Sequence, residues 1–461
     1  MPARSIAYYW LVNEMKNACN KNGLGLDMSK RLLIQIWIVC ALGLFVDGFD
    51  LYVTSVAEPL FKKSLALSPL WLGITQAAAP IGAAIGAILI GYITDRVGRK
   101  TMLVFNFILF VVSALLSAVA WDVYSLCIFR FFVGFGVGSD YPVCAAYLSE
   151  MSPNHSRGKL MASAMFINCL ASPIGVAVSY AIFSYYPYVD AWRFMFAFGA
   201  LPALIALLMR SRLPESFLWR ANQRITSTEK KASGLAAYRI LFNAHYLKAT
   251  LALCLSWALM DVSYYSIGLF TPDILSAMHL ATSGNFITDT KTIVENTIFL
   301  NGFVAVGAFL SIFVIDKISR VNLQKMGFLG AFSGLFLLSL SYYFKITPIY
   351  PIIFSCFLTY NVFINMGPGA TTYLLPAEIY PTAIRGTGHG LASGVAKFGA
   401  FLGTIFLPAF QVAFGIHFTL LALSFTLLAG YFLTTLLKSY PSINAVSAPS
   451  TLDEMNLAPE S

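Results

Sequence analysis

Apolar residues along this chain gather into long runs, separated by short polar breaks. Twelve runs are long enough to cross a bilayer, which takes about 20 residues each. They lie near 33–57, 70–93, 101–120, 123–146, 159–185, 192–210, 248–277, 293–315, 323–344, 348–374, 387–412 and 416–437. The first follows some thirty mostly polar residues without a small-residue cleavage site, so it reads as a retained span and not a signal peptide. The longest polar break between spans, 211–247, divides them six and six. The pattern predicts an all-α membrane protein: an N-terminal segment 1–31, a six-helix half 32–210, a linker 211–247, a second half 248–438 and a disordered tail 439–461.

Composition agrees. Hydrophobic residues are 58% and charged residues 11% of the chain, against roughly 45–50% and 25% in soluble domains. The net charge of +9 comes from basic clusters in the breaks after even-numbered spans: Arg96, Arg99 and Lys100; Arg157 and Lys159; Lys317, Arg320 and Lys325; Arg385. The N-terminal segment and the linker are also basic, whereas the other side has Lys62, Lys63, Lys291 and Lys345. The positive-inside rule then places both termini in the cytoplasm. The charge is topological, and no nucleic-acid partner is expected. The seven cysteines have no CxxC spacing and read as packing thiols, with no metal site.

Two internal matches make the halves parallel repeats. Glu150-Met-Ser-Pro153-Asn-His-Ser-Arg157-Gly158 and Glu378-Ile-Tyr-Pro381-Thr-Ala-Ile-Arg385-Gly386 share E-x-x-P-x-x-x-R-G. Asp95-Arg96-Val97-Gly98-Arg99 and Asp316-Lys317-Ile318-Ser319-Arg320 follow spans two and eight at nearly the same offset. In such an arrangement a substrate site lies between the halves near the midplane. There is no Walker-type phosphate loop, so an ion gradient is the expected energy source, and no cofactor is expected.

Ionisable residues inside spans are costly and mark polar sites. Trp257, Asp261 and Tyr265 recur every four residues and share one helix stripe. Asp47 and Asp50 in span one, Arg130 and Asp140 in span four, and Lys397 in span eleven are the other buried charges. Taken alone, the two aromatics of the stripe read as packing; the surrounding charges favour a site.

The segment Gly91-Tyr-Ile-Thr-Asp95-Arg96-Val-Gly98-Arg99-Lys100 resembles the loop between spans two and three of the major facilitator superfamily. Arg130-Phe-Phe-Val-Gly134-Phe-Gly136-Val-Gly138-Ser-Asp140-Tyr141-Pro142, continuing to Ser149-Glu150, resembles the span-four signature of its phosphate:proton symporter family. Ser139 and Val143-Cys144 are departures from that signature. Asp47-Gly-Phe-Asp50-Leu-Tyr52 resembles the same family's D-x-Y-D-L-F, and Asn365-Met-Gly-Pro-Gly369-Ala-Thr-Thr-Tyr373 its N-F-G-P-N-T-T-T-F, with Gly369 replacing an amide. Pro214-Glu215-Ser216-Phe-Leu-Trp219 resembles a sugar-porter motif, but the Gln-Gln pair and terminal motif of that group are missing.

The resemblance implies a twelve-helix major facilitator fold in a plasma or bacterial inner membrane. It implies a monomeric, non-enzymatic symporter of protons with inorganic phosphate or a similar small anion. Tyr141, Trp257, Asp261, Tyr265, Asn168, Asn365 and Lys397 would line the substrate site. Asp47, Asp140, Asp50 and Arg130 would handle protons. Gly91, Asp95, Arg96, Gly98, Arg99, Glu150, Arg157, Glu378 and Arg385 would form a cytoplasmic latch. The stripe's expected partners are Asp140, Tyr141 and Lys397. An organic acid, a nicotinate-like acid, a polyol or a sugar stands as alternative cargo, and a non-transporting nutrient receptor as the other class.

Overall fold

The computed structural model describes residues 27–152, 157–216, 219, 234–277, 284–344, 349–381 and 384–439. The N-terminal segment, part of the linker, Pro153 with its neighbours and nearly all of the tail lie outside the described residues.

Among the described residues, six helices precede the linker: α1 Asp27–Ser64, α2 Pro69–Val97, α3 Arg99–Ala118, α4 Val123–Met151, α5 Arg157–Tyr185 and α6 Ala191–Ser211. After a short linker helix, Gly234–Leu241, come α7 Leu247–Ala277, α8 Phe286–Val314 and α9 Arg320–Tyr343. Span ten, α10, is two pieces, Ile349–Met366 and Pro368–Ile379. Pro368 has no N–H to continue the ladder, and Gly367 takes the non-helical φ of −100° and ψ of −93° at the break.

Among the described residues, eleven helical stretches are long and apolar enough to cross a membrane, one fewer than the sequence pattern gives. The difference lies at one residue. Helix Arg385–Thr434 is continuous except at Gly415, with φ +80° and ψ 169°. That left-handed φ favours glycine and turns the chain without a loop. Residues 385–414 and 416–434 are thus separate spans, α11 and α12.

Starts of helices are fixed locally. Asp122 and Ser125 form a capping box at α4, the Ser68 side chain accepts from Trp71 N ahead of Pro69 at α2, and Asn285 and Ser319 cap α8 and α9. Large apolar side chains such as Ile108, Phe132, Phe309, Leu329 and Phe406 cover the outside, as a lipid-facing surface requires.

Within the first six helices, α4 packs on α2 at glycine contacts. A Cβ at Gly134 or Gly138 would collide with the backbone of Ala79 or Ala83, so the spacing of these glycines buys close approach. The two six-helix sets meet mainly along α2–α11 and α5–α8, with α1 against α7. At one end of the bundle lie Arg99, Lys159, Arg320 and Lys325, the basic face; α1 ends at the opposite face. All six described cysteines are free thiols, five of them buried.

Candidate functional site

The stripe on α7 faces the seam between the two sets. Trp257, Asp261 and Tyr265 are all buried. Lys397 on α11 donates from Nζ to Asp261 Oδ2 at 3.0 Å. The same ammonium lies 4.5 Å from the Tyr265 ring centroid and 4.6 Å from that of Tyr141 on α4, within cation–π range. The Tyr141 hydroxyl donates to Asp47 Oδ2 on α1 through a short hydrogen bond. Four helices, two from each set, thus bring two carboxylates, one ammonium and two phenols together. Burying such charges is tolerable only because they are paired.

Asp50 and Arg130 form a second pair beside this cluster. Arg130 Nη1 and Nη2 each reach a different Asp50 oxygen at 2.8 Å, the bidentate geometry that suits Arg. A small cavity touches Asp47, Asp50, Arg130, Tyr265 and Gln76. Gln76 Nε2 is buried there without a hydrogen-bond partner. Gln76 was missed from the sequence: nothing local separates it from a small-residue stretch.

Asp140 does not join the stripe, contrary to the sequence expectation. Its carboxylate is gripped by both terminal nitrogens of Arg210, with Nη2–Oδ2 at 2.7 Å, and it also accepts from Cys144 Sγ at 3.2 Å. Arg210 stacks 3.8 Å from the Phe107 centroid and is fully buried. In sequence Arg210 looks like a basic residue at the membrane edge, which hides this bond. The two amides are likewise committed to protein groups: Asn168 Nδ2 donates to Leu44 O at 2.6 Å, and Asn365 donates to Asn361 O while accepting from Cys169 Sγ at 3.3 Å. None of these bonds reaches the charged cluster.

The basic face is shut by the α2–α3 turn. Gly98 makes that turn at φ +117°. Asp95 accepts from the Thr387 backbone N at 2.8 Å, its hydroxyl at 2.7 Å and Gly386 N at 3.3 Å, all in the first turn of α11. Arg99, fully buried, bridges Asp95 at 2.9 Å and Glu150 at 2.8 Å. Glu215 accepts from Arg99 N at 2.8 Å, a carboxylate on the positive end of α3. Arg385 Nη1 stands 3.9 Å from Glu150. Gly91 lies so close to Gly386 and Gly390 that a Cβ would collide with them. Arg96 is outside this network: it is exposed and lies over the Tyr92 ring at 4.4 Å. The repeat builds a second copy, in which Arg320 bonds Asp316 at 3.0 Å and stands 3.6 Å from Glu378, with Gly158 packed on both Asp316 and Arg320 and Arg157 acting on Glu378.

At the opposite face Lys62 on α1 stands 3.6 Å from Asp273 on α7 and 4.0 Å from Glu58. Tyr180 on α5 donates to Glu295 on α8 at 2.5 Å, and the Tyr52 and Tyr264 hydroxyls are 3.3 Å apart. The charged cluster is therefore enclosed from both ends.

A family model described as Major Facilitator Superfamily matches residues 40–404. The chain belongs to that superfamily. It is a multi-pass membrane transporter, and the repeats, the seam and the enclosed centre are the superfamily's parts as this chain builds them. Among its relatives, probable inorganic phosphate transporter 1-12 of Oryza sativa subsp. japonica is 28% identical over 81% of each chain. Probable inorganic phosphate transporter 1-6 of Arabidopsis thaliana is 27% identical over 90% of this chain and 94% of that one. The proton:xylose symporter XylE bound to 6-bromo-6-deoxy-D-glucose superposes with a TM-score of 0.72 at 23% identity, covering 88% of this chain and 95% of that one. The partially occluded inward open xylose transporter XylE from E. coli gives 0.71 at 22%, covering 89% and 98%. At such identity the likeness to XylE is one of fold. These relatives and neighbours are described as transporters.

Proposed function

We propose that the protein is a monomeric, proton-coupled symporter that takes up inorganic phosphate or a similar small polar anion by alternating access. The observation that carries this reading is the Lys397–Asp261 bond at 3.0 Å beside the Tyr141–Asp47 bond, in one buried cluster between the two six-helix sets. Lys397 supplies the positive charge that an anion needs. Tyr141, Tyr265 and Trp257 supply O–H and N–H donors for its oxygens. Asp261 is an acceptor suited to an anion that keeps an O–H, as dihydrogen phosphate does. Asp47 is the proton carrier, and the Asp50–Arg130 pair is its neighbour in the same cavity. The names of the relatives, phosphate transporters over most of both chains, agree with this cargo.

In this reading Asp140 with Arg210 is a brace within the first half, while Asn168 and Asn365 hold helices and reach the anion only after rearrangement. Asp95, Arg99, Glu150, Glu378, Arg385 and the glycines Gly91 and Gly98 form the latch. Positive-inside topology makes the basic face cytoplasmic in a plasma or inner membrane. Rocking of the halves opens one face at a time.

A second reading rests on one observation. A small void next to the cluster touches only uncharged polar and apolar groups, among them Tyr52, Tyr264, Tyr360, Asn301 and Asn361. That lining suits a neutral hydroxyl-bearing cargo. The deciding experiment is uptake by purified protein in liposomes under an imposed pH gradient, with labelled phosphate against small organic acids, polyols and sugars. Gradient-driven phosphate accumulation is expected; phosphate flux indifferent to the gradient would sink the symport claim, and polyol or sugar flux alone would favour the second reading.

A further inference from the structure

His389 lies near the start of α11, two residues past the latch contact at Thr387, and has no role in the scheme above. It is fully buried. Its Nε2 is 3.1 Å from the Tyr373 carbonyl oxygen. A carbonyl only accepts, so this nitrogen holds the proton and Nδ1 keeps a lone pair. Nδ1 is buried without a hydrogen-bond partner. Buried polar atoms normally find partners, so an orphan basic nitrogen in a transport protein asks for a reason.

Its surroundings supply one. The imidazole centroid is 5.6 Å from that of Trp257 and 5.3 Å from that of Tyr373, both edge-on. Those two rings lie 6.4 Å and 6.0 Å from Tyr141, whose hydroxyl holds Asp47. The four rings form one cluster, with Asp47 on one side and the latch on the other. The Tyr373 hydroxyl, within the same cluster, is a second buried group without a hydrogen-bond partner. On α11, His389, Ser393 and Lys397 recur every four residues and share a stripe. That stripe runs beside the α7 stripe: His389 meets Trp257, and Lys397 meets Asp261 and Tyr265.

The groups facing the imidazole are Trp257 from α7 and Tyr373 from α10, with Ser393 on its own helix donating to its backbone carbonyl. Among the described residues, no carboxylate or ammonium bonds to it. The Asp140–Arg210 pair acts on the far side of Tyr373. An imidazolium at His389 would have no counter-ion among the described residues, so the charged state is costly and transient.

We propose that His389 Nδ1 is a second proton station, which accepts on the basic-face side the proton that Asp47 brings in. This inference rests on the symport reading. The step is proton transfer alone. The O–H bond of the Asp47 carboxyl breaks, an Nδ1–H bond forms, and Nε2–H stays on the Tyr373 carbonyl. The Tyr141 ring packs on those of Trp257 and Tyr373, which flank the imidazole. When the latch opens, the imidazolium releases its proton to water on that face.

His389→Gln tests this, because the amide can keep a donor to the Tyr373 carbonyl but cannot take up a proton. In liposomes, gradient-driven net phosphate uptake by His389→Gln is expected to fall by about tenfold or more, the scale of a lost acid–base group. Phosphate–phosphate exchange at equal pH on both sides should stay near the wild-type rate. His389→Phe, lacking the donor too, is expected to lose thermal stability as well. Normal net uptake by His389→Gln would overturn the proposal. So would equal loss of uptake and exchange, which would make the residue merely structural. Wild-type protein without gradient-driven uptake would instead remove the symport reading, and this inference with it.

Discussion

Lys397 Nζ on α11 sits 3.0 Å from Asp261 Oδ2 on α7, and both side chains are almost wholly enclosed. Deleting one member of such a pair leaves a bare buried charge, at a cost of about 3–5 kcal/mol, whereas replacing both is nearly neutral. Lys397→Met and Asp261→Asn should therefore each lower the melting temperature, and the double variant should recover it. Uptake should stay abolished in all three. A thermal-melt series in detergent, set beside liposome uptake, checks this; a double variant that transports would show that the pair is scaffolding.

The three intramembrane aspartates of the first half should separate by experiment. Asp47→Asn keeps an acceptor for the Tyr141 phenol and should leave the melt almost unchanged while net uptake falls about tenfold or more, the scale of a lost acid–base group. Asp140→Asn strands the fully buried Arg210 and should destabilise strongly, with partial rescue by Arg210→Met. Asp50→Asn should behave likewise with Arg130. An Asp140→Asn protein as stable as wild type would remove the brace assignment.

Gly91 leaves no space for a side chain against Gly386 and Gly390. Gly91→Val should therefore prise α2 from α11 and favour opening at the basic face. The readout is faster alkylation of Cys169, which lies buried at the α5–α10 contact. Alkylation no faster than in wild type would mean that the seam does not open there.

Lys62 is shared between Glu58 and Asp273, which belong to different six-helix sets. Its removal leaves two carboxylates facing one another across the seam. Lys62→Ala should favour opening at the opposite face and raise uptake KM or lower its rate, the more so at low ionic strength, where charge repulsion is least screened. A variant whose uptake does not respond to salt would count against this clasp.

Much of the fold was legible because the bilayer imposes a simple rule: each span needs its length of apolar residues, and the breaks show. The exception is instructive. Gly415 separates α11 from α12 by conformation alone, within an unbroken apolar stretch. For the site, spacing by four placed Trp257, Asp261 and Tyr265 on one stripe, and the cost of buried charge pointed to Lys397. Periodicity within one helix carries no information about partners on another. By its motif Asp140 belongs with the stripe, yet Arg210 holds it; by its motif Arg96 belongs with the latch, yet it points outward. His389 and Gln76 escaped because neither residue type in an apolar run signals by itself which atoms lack partners.

The bond from Asp95 to the first turn of α11 is made largely to peptide nitrogens. Main-chain amides are common to every residue except proline. Two of the three bonds of this lock consequently take their donor from no side chain at all. Alanine scanning of Gly386 and Thr387 would remove only the hydroxyl and crowd the glycine, leaving the amide donors in place. The contact thus constrains Asp95 through its carboxylate and Gly386 through the side chain it lacks, since a Cβ there would stand 2.6 Å from Asp95 Oδ1, whereas the Thr387 amide can be supplied by other residues.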